Sequence, residues 1–485
     1  MKQRDTIRPG SGTLETQFGG SEETPNRLSS CVQPEAINRK ERKQMARPIG
    51  IDLFAGAGGL SLGFEQAGFD VVAAVEIDPV HSAIHEYNFP NCKVIAQSVT
   101  ELTGEKIRAK AGIGDRQVDV VFGGAPCQGF SLIGQRALDD PRNSLVKDFV
   151  RIVRELDASY FVFENVKGLT VGRHRKFLDE LIAEFGKKGY SVRKEWRVLN
   201  AYNYGVPQDR QRLFLVGAKK GLTVPEYPEA LTSRPGRPNG GHPAGPTCSD
   251  ALGDLPDAEG FKRLLDTDEV ETKKWGEPSD YARLMRCVDG DGWHFGYQRE
   301  WNPSILTASL RTDHTDISRR RFSETTPGAV EPISRFLKLA PDGVSNTLRA
   351  GTDSARGAFT SPRPIHYKYD RCITVREMAR LHGFPDWFRF NETKWHGARQ
   401  IGNAVPPPLA RAVAGQVLSA MGTKPAKPRK KLKLGDPKLL RMGMAEASEY
   451  WGIETPIGRR DRKSGVKKRS QHEVEAQRLA LVTGT

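Results

Sequence analysis

Ile49-Gly50-Ile51-Asp52-Leu53-Phe54-Ala55-Gly56-Ala57-Gly58-Gly59-Leu60-Ser61-Leu62-Gly63-Phe64 is an apolar run that breaks into glycines and resumes with helical spacing. It reads as a buried strand, a glycine-rich turn that lets backbone approach a ligand closely, and the start of a helix. About twenty residues later, Val71-Val72-Ala73-Ala74-Val75 ends in Glu76-Ile77-Asp78, which places an acid at the tip of the next strand, within reach of ribose hydroxyls. The spacing suits an adenosine-bearing cofactor, and by itself does not separate a nicotinamide dinucleotide from S-adenosylmethionine.

Outward from this unit the texture repeats. Further apolar runs lie at Val118 to Phe122, Tyr160 to Phe163 and Leu213 to Val216, separated by helical periods such as Leu145 to Leu156. Parallel strands need such crossovers, so a parallel α/β sheet is expected over residues 48–218, within a first domain part of 48–220. Past Lys219 the chain turns rich in Pro, Gly, Arg and Thr, and 221–370 reads as a second, smaller, irregular domain. Regular texture returns at Thr374 to Leu381, where Thr374 can cap a helix, and at Pro408 to Met421, so residues 371–422 are expected to rejoin the first domain. Residues 1–47 are polar and aperiodic and read as disordered; residues 423–485 read as a flexible basic tail.

The chain has 485 residues, 37% hydrophobic and 27% charged, and a mean hydropathy of -0.54, an ordinary globular composition. With no apolar run near the roughly 18–20 residues of a membrane span and no apolar core in a leader, the expected setting is the cytoplasm. The six cysteines form neither C-x-x-C pairs nor a disulfide pattern, so no metal site is expected and any important cysteine is a lone thiol. Seventy-four Lys and Arg against 59 Asp and Glu give a net charge of +15, which favours a polyanionic partner such as nucleic acid. From Lys424 to Arg469, 15 basic residues less 5 acidic ones account for +10 of it.

Four more segments carry chemistry. Gly123-Gly124-Ala125-Pro126-Cys127-Gln128-Gly129-Phe130-Ser131 follows a strand directly and puts Cys127 at its carboxyl end beside the cofactor crevice. Tyr160-Phe161-Val162-Phe163-Glu164-Asn165-Val166 is a strand ending in polar residues at the same sheet edge. Gln208-Asp209-Arg210-Gln211-Arg212 presents two arginines to one face if extended. Gln400-Ile401-Gly402-Asn403-Ala404-Val405-Pro406-Pro407-Pro408 is a loop leading into a helix. Taken singly, these are a small buried hydrophobe, a strand-end acid, a solvated arginine pair and a plain loop.

In combination and in this order the five segments resemble the DNA (cytosine-5) methyltransferase family over about residues 48–420. The resemblance implies a Rossmann-like S-adenosylmethionine-dependent methyltransferase sheet with a smaller target-recognition domain at 221–370. It implies that Phe54, Gly56, Gly58, Gly59, Glu76, Ile77, Leu145, Asn403 and Ala404 hold the cofactor. It makes Cys127, Glu164, Arg210 and Arg212 catalytic. Pro126, Gln128, Ser131, Asn165 and Val166 would line the base pocket, and Thr347, Leu348 and Arg349 the recognition segment. One departure stands out: where the family has an acid after the third strand to bind adenine, this chain reads Ala96-Gln97-Ser98-Val99-Thr100, so Ser98 or Gln97 must serve.

The chemistry agrees. C5 of cytosine is a poor nucleophile, and a thiolate from Cys127 adding at C6 makes it enamine-like while Glu164 bonds at N3. A nearby cation such as Arg212 would lower the thiol pKa. The target must leave the stack of duplex DNA to reach the pocket. Arg311, Arg319, Arg320, Arg321, Arg349 and Arg356 are candidate readers of the sequence. The expected role is the modification half of a restriction-modification pair, acting beside a restriction endonuclease. A tRNA cytosine-5 methyltransferase of the same fold and a non-catalytic DNA-binding relic are the rivals.

Overall fold

A computed structural model describes residues 47–126, 143–172, 174–237, 241–351, 361–455 and 476. Its centre is one sheet of eight strands: β1 (Ile49–Leu53), β2 (Asp70–Val75), β3 (Lys93–Ile95), β4 (Val120–Gly123), β5 (Tyr160–Val166), β6 (Tyr190–Val192), β7 (Arg197–Asn200) and β8 (Gln211–Lys219). The spatial order is β3-β2-β1-β4-β5-β8-β6, with β7 also on β8. β1 to β5 are mutually parallel, whereas β8 runs antiparallel to β5, β6 and β7. The expectation of a parallel sheet is thus corrected at this end: β6, β7 and β8 follow one another without an intervening α-helix, only the single turn Ala201–Tyr204, and antiparallel neighbours need only short connections.

Every residue of β1 is buried, because helices cover both faces. On one face lies α1 (Gly59–Ala67), whose nine residues are all buried, with Phe64 stacked on Phe122 of β4 at 3.7 Å. α2 (Pro79–Asn88) begins at the Asp78 cap, whose carboxylate accepts from Val80 N and His81 N. α3 (Gly104–Ala111), α4 (Ser144–Glu155) and α5 (His174–Lys187) complete the crossovers; on that side Phe161 stacks on Phe185 at 3.8 Å.

Beyond β8 the described chain to residue 351 has two-residue strands and short helices at Cys248–Leu252, Asp280–Arg286 and Asp316–Glu324. The chain then re-enters regular structure with α6 (Val375–His382), α7 (Lys394–Asn403) and α8 (Pro407–Met421). Thr374 caps α6 with Glu377 as its reciprocal partner. α8 packs on α1 so closely that a Cβ on Gly63 would lie 2.3 Å from that of Ala410.

Both ends depart from expectation where they are described. Arg47, assigned to the disordered extension, pairs with Asp70 at 2.6 Å and donates to the carbonyls of Glu65 and Phe69. The first part of the basic tail is folded: Leu432–Lys433 pairs with Arg299–Glu300, Leu439 and Leu440 are buried, and α9 (Met444–Trp451) lies along α2. Four apolar side chains among many charges, Leu432, Leu439, Leu440 and Ala447, suffice to seat it, and charge counting overlooks them. Residues 1–46 lie outside the described residues. Among the described residues no helix is long and apolar enough to cross a membrane.

Candidate active site

The carboxyl ends of β1, β2, β4 and β5 come side by side, so the motif residues of four distant segments share one sheet edge. At the end of β1, Phe54 takes a left-handed φ of 60°, which for a bulky residue is strained and turns the chain sharply. Gly56 (φ 54°) follows with open space where a Cβ would stand, the condition for a ligand to approach its backbone. Gly59 is pressed from behind: a Cβ there would lie 2.4 Å from Val405 O and 2.9 Å from Ala404 Cβ. The loop after α7 therefore closes directly on the glycine-rich turn, with Asn403 exposed and Ala404 half-buried.

Glu76 directly follows β2, and its carboxylate accepts from the N–H groups of Gly56 and Asp78, each at 2.8 Å. Burial pushes its pKa up, and His81 pulls the other way. Next to it Ile77, 52% exposed, is a large apolar side chain left uncovered. A half-buried acid, an open glycine backbone and an apolar face fit an adenosyl ligand: a diol for the acid, a purine face for Ile77. Leu145 is half-buried in the first turn of α4. Ser98 spends its hydroxyl on capping the next turn, bonding Thr100 Oγ1 at 2.7 Å, and Gln97 is half-buried.

At the ends of β4 and β5 lies the second group. Glu164 is 9% exposed and its Oε1 meets Arg212 Nε at 2.9 Å. Burial raises the Glu164 pKa, while the charges of Arg212 and Arg210 oppose that rise. Gly124 makes room for this carboxyl, since a Cβ there would lie 2.5 Å from Glu164 Oε2. Asn165 donates from Nδ2 to Ala125 O at 2.9 Å and pins the turn that leads into Cys127, and its Oδ1 accepts from Val166 N. Pro126 and Val166 are exposed. Cys127, Gln128 and Ser131 lie outside the described residues, as does Arg356.

Arg210 needs correction. It was grouped with the catalytic residues, but its side chain is fully buried and donates to the carbonyls of Leu348, Gly402 and Ala404 at 2.8–3.0 Å. It positions two loops from a fully buried place, and its Nε is buried as well. β8 carries Arg212 beside Glu164, while Arg210, just before that strand, meets the returning chain.

Sequence reasoning missed His382 and the use of Gln208 here. Gln208 Oε1 accepts from Leu348 N while its Nε2 donates to His382 Nδ1 at 2.9 Å, and His382 Nε2 meets Ala404 O at 3.0 Å. Burial and the Arg210 charge hold His382 neutral, as this pattern requires. With Gln208 and His382 174 positions apart, no local signal exists. Of the recognition segment, Thr347 donates to Asp209 O, Leu348 is buried and Arg349 is exposed. Three of the candidate reader arginines are spent internally: Arg311 on Glu259 O, Arg319 on the Glu259 carboxylate and Arg321 beside Glu331; Arg320 is exposed.

Fold and site together define a methyltransferase of the Rossmann-like class. The profile of the C-5 cytosine-specific DNA methylase family matches residues 49–419, and the chain belongs to that family: it is a DNA cytosine-5 methyltransferase. It is 59% identical over 419 residues to the Type II methyltransferase M.XorII of Xanthomonas oryzae pv. oryzae, covering 86% of this chain and 96% of that one. Type II methyltransferase M1.HphI of Haemophilus parahaemolyticus is 35% identical over 375 residues, 76% of this chain and 86% of the other. A crystal structure of a prophage-encoded E. coli protein described as a DNA modification methyltransferase superposes with a TM-score of 0.62 at 31% identity, over 77% of this chain and 99% of that one. The family implies use of S-adenosylmethionine and action on DNA.

Proposed function

We propose that the protein methylates C5 of one cytosine, flipped out of a specific duplex DNA sequence, and protects host DNA in the cytoplasm against a cognate restriction endonuclease. The observation that supports this most is the buried Glu164 carboxyl, paired with Arg212 at 2.9 Å and seated over Gly124, three residues before Cys127. In this reading residues 48–220 and 371–422 form the catalytic domain and 221–370 the target-recognition domain, with Thr347, Leu348 and Arg349 facing DNA and Pro126, Gln128, Ser131, Asn165 and Val166 around the base.

S-adenosylmethionine, held by Phe54, Gly56, Gly58, Gly59, Glu76, Ile77, Leu145, Asn403 and Ala404, supplies an electrophilic methyl group when bound. Cys127 Sγ bonds to C6, the C5–C6 π pair becomes available at C5, and Glu164 donates its proton's hydrogen bond to N3, where charge develops. Arg212 holds that carboxyl in place. C5 would then bond to the methyl carbon as its bond to sulfur breaks, with S-adenosylhomocysteine as the coproduct; the C5 proton leaves to a base and the C6–S bond breaks, restoring the thiolate. A raised Glu164 pKa serves this step, because N3 is an acceptor and needs the protonated form.

The test is incubation with labelled S-adenosylmethionine and mixed-sequence duplex DNA beside Cys127→Ala, followed by mapping of 5-methylcytosine. Label in one sequence context, absent from the variant, is expected. Label confined to added tRNA, or none with sequence-specific binding retained, would overturn the reading.

A further inference from the structure

The segment after residue 431 lies beyond the 49–419 stretch matched by the family and has no part in the chemistry above. It runs the length of α2. Gly435 N donates to Tyr87 O near the end of that helix, and a Cβ on Gly435 would lie 2.8 Å from Tyr87 Cα. Trp451 Nε1 donates to Pro79 O at its start, three residues from Glu76. Between them, Leu439 and Leu440 join one buried cluster with Ala83, Ile84 and Tyr87 of α2 and with Ala57, the residue between Gly56 and Gly58 of the glycine-rich turn.

The same strap grips the opposite wall. Glu392 N donates to Leu440 O at 3.0 Å, Arg441 Nε pairs with Glu392 at 3.0 Å, and Asn391 Nδ2 donates to Met442 O at 3.0 Å. Asn391 is 2% exposed and is the hub: its N–H donates to Gln400 Oε1 of α7, and its Oδ1 accepts from Thr393, the residue that caps α7. α7 ends in Asn403, and the following Ala404 and Val405 rest on Gly59. One strap therefore binds the glycine-rich turn and α2 on one side to α7 on the other.

We propose that the strap Gly435–Trp451 is a positioning element for the cofactor, holding the two walls of its site at a fixed separation through Leu439, Leu440 and Asn391. This rests on the assignment of Glu76 and the glycine-rich turn as the S-adenosylmethionine site. Because none of these three residues is placed in that site, they act on cofactor affinity and leave the chemical step alone, and by linkage the cofactor in turn steadies the strap.

The experiment uses the full chain. Leu440→Ala and Asn391→Ala are expected to raise KM for S-adenosylmethionine about tenfold, with kcat at saturating cofactor and duplex affinity within about twofold. Hydrogen exchange of the wild-type protein, independent of how the variants fold, is expected to slow severalfold across residues 435–451 when S-adenosylhomocysteine is added. Unchanged exchange there, or a loss of kcat and duplex affinity as large as the loss of cofactor affinity in both variants, would overturn the proposal. Glu76→Ala is the control for the site itself. If it loses cofactor binding while the strap variants keep a wild-type KM, the proposal alone fails; if it keeps wild-type affinity, the site assignment fails and the proposal with it.

Discussion

The sheet of residues 49–219 and the irregular part around residues 250–390 bury their interiors by different means. In the sheet, backbone bonds form a regular ladder and the interior is aliphatic and aromatic, as in the stacked pairs Phe64–Phe122 and Phe161–Phe185. In the other part, ion pairs hold the chain. Arg380 is fully buried between Asp254 and Asp386 at 2.9 and 2.6 Å, and Arg371 is clasped by Glu377 and Asp257. Arg376 spends its guanidinium on Thr307 and on the carbonyls of Pro385 and Phe388. A region without long strands has many backbone carbonyls to satisfy, and arginine offers five donors in a fixed fork. The lesson is that Glu164 and Arg212 stand on the rigid ladder of β5 and β8, while the irregular chain and the returning helix α6 are joined to each other by specific polar contacts that tolerate irregular backbone.

The largest test of that contrast is Arg380→Ala. Two buried carboxylates lose their partner, and unfolding in urea should show a loss of about 3–5 kcal/mol; a loss below about 1 kcal/mol would break the comparison. Glu164→Gln should act oppositely. Its kcat should fall about 10²–10³-fold, as for loss of a charge-stabilising donor, with a smaller shift of the urea midpoint than for Arg380→Ala, because the amide oxygen still accepts from Arg212.

Acid sharpens the contrast further. Arg371 and burial-opposing hydrogen bonds hold the Glu377 carboxyl down to about 2, against 4.5 unperturbed. A depressed folded pKa means its contribution is complete above pH 4.5 and is lost as pH falls from there toward 2, about 3 kcal/mol in all. Glu377→Gln should flatten the stability profile in that window. The smallest effect is a shift of profile. Arg212→Lys weakens the pull that opposes burial at Glu164, so its pKa rises further. If the protonated form acts, the alkaline limb of kcat/KM moves to higher pH; a shift to lower pH would contradict the assigned role.

Much of the sheet was legible because buried parallel strands are unbroken apolar runs with helical crossovers, and Glu76 and Glu164 stand where such runs end. The antiparallel end was misjudged, since Leu213 to Val216 reads the same in either direction. Arg210 was misassigned for a related reason: alternation tells which side chains share a face of β8, not what waits across it. The folded strap escaped notice because four apolar residues among charges carry no period.

By itself, then, the sequence determined the cofactor crevice, the order of its motifs and the chemistry of its residue types, because each is a matter of local spacing along one strand and turn. Only the tertiary structure decided which arginine meets Glu164, that Gly124 leaves room for that carboxyl, that Gln208 and His382 tie Leu348 to Ala404, and that residues 435–451 brace the site. Those contacts join positions from 22 to more than 350 residues apart, and their partners are chosen by packing rather than by any pattern within the chain.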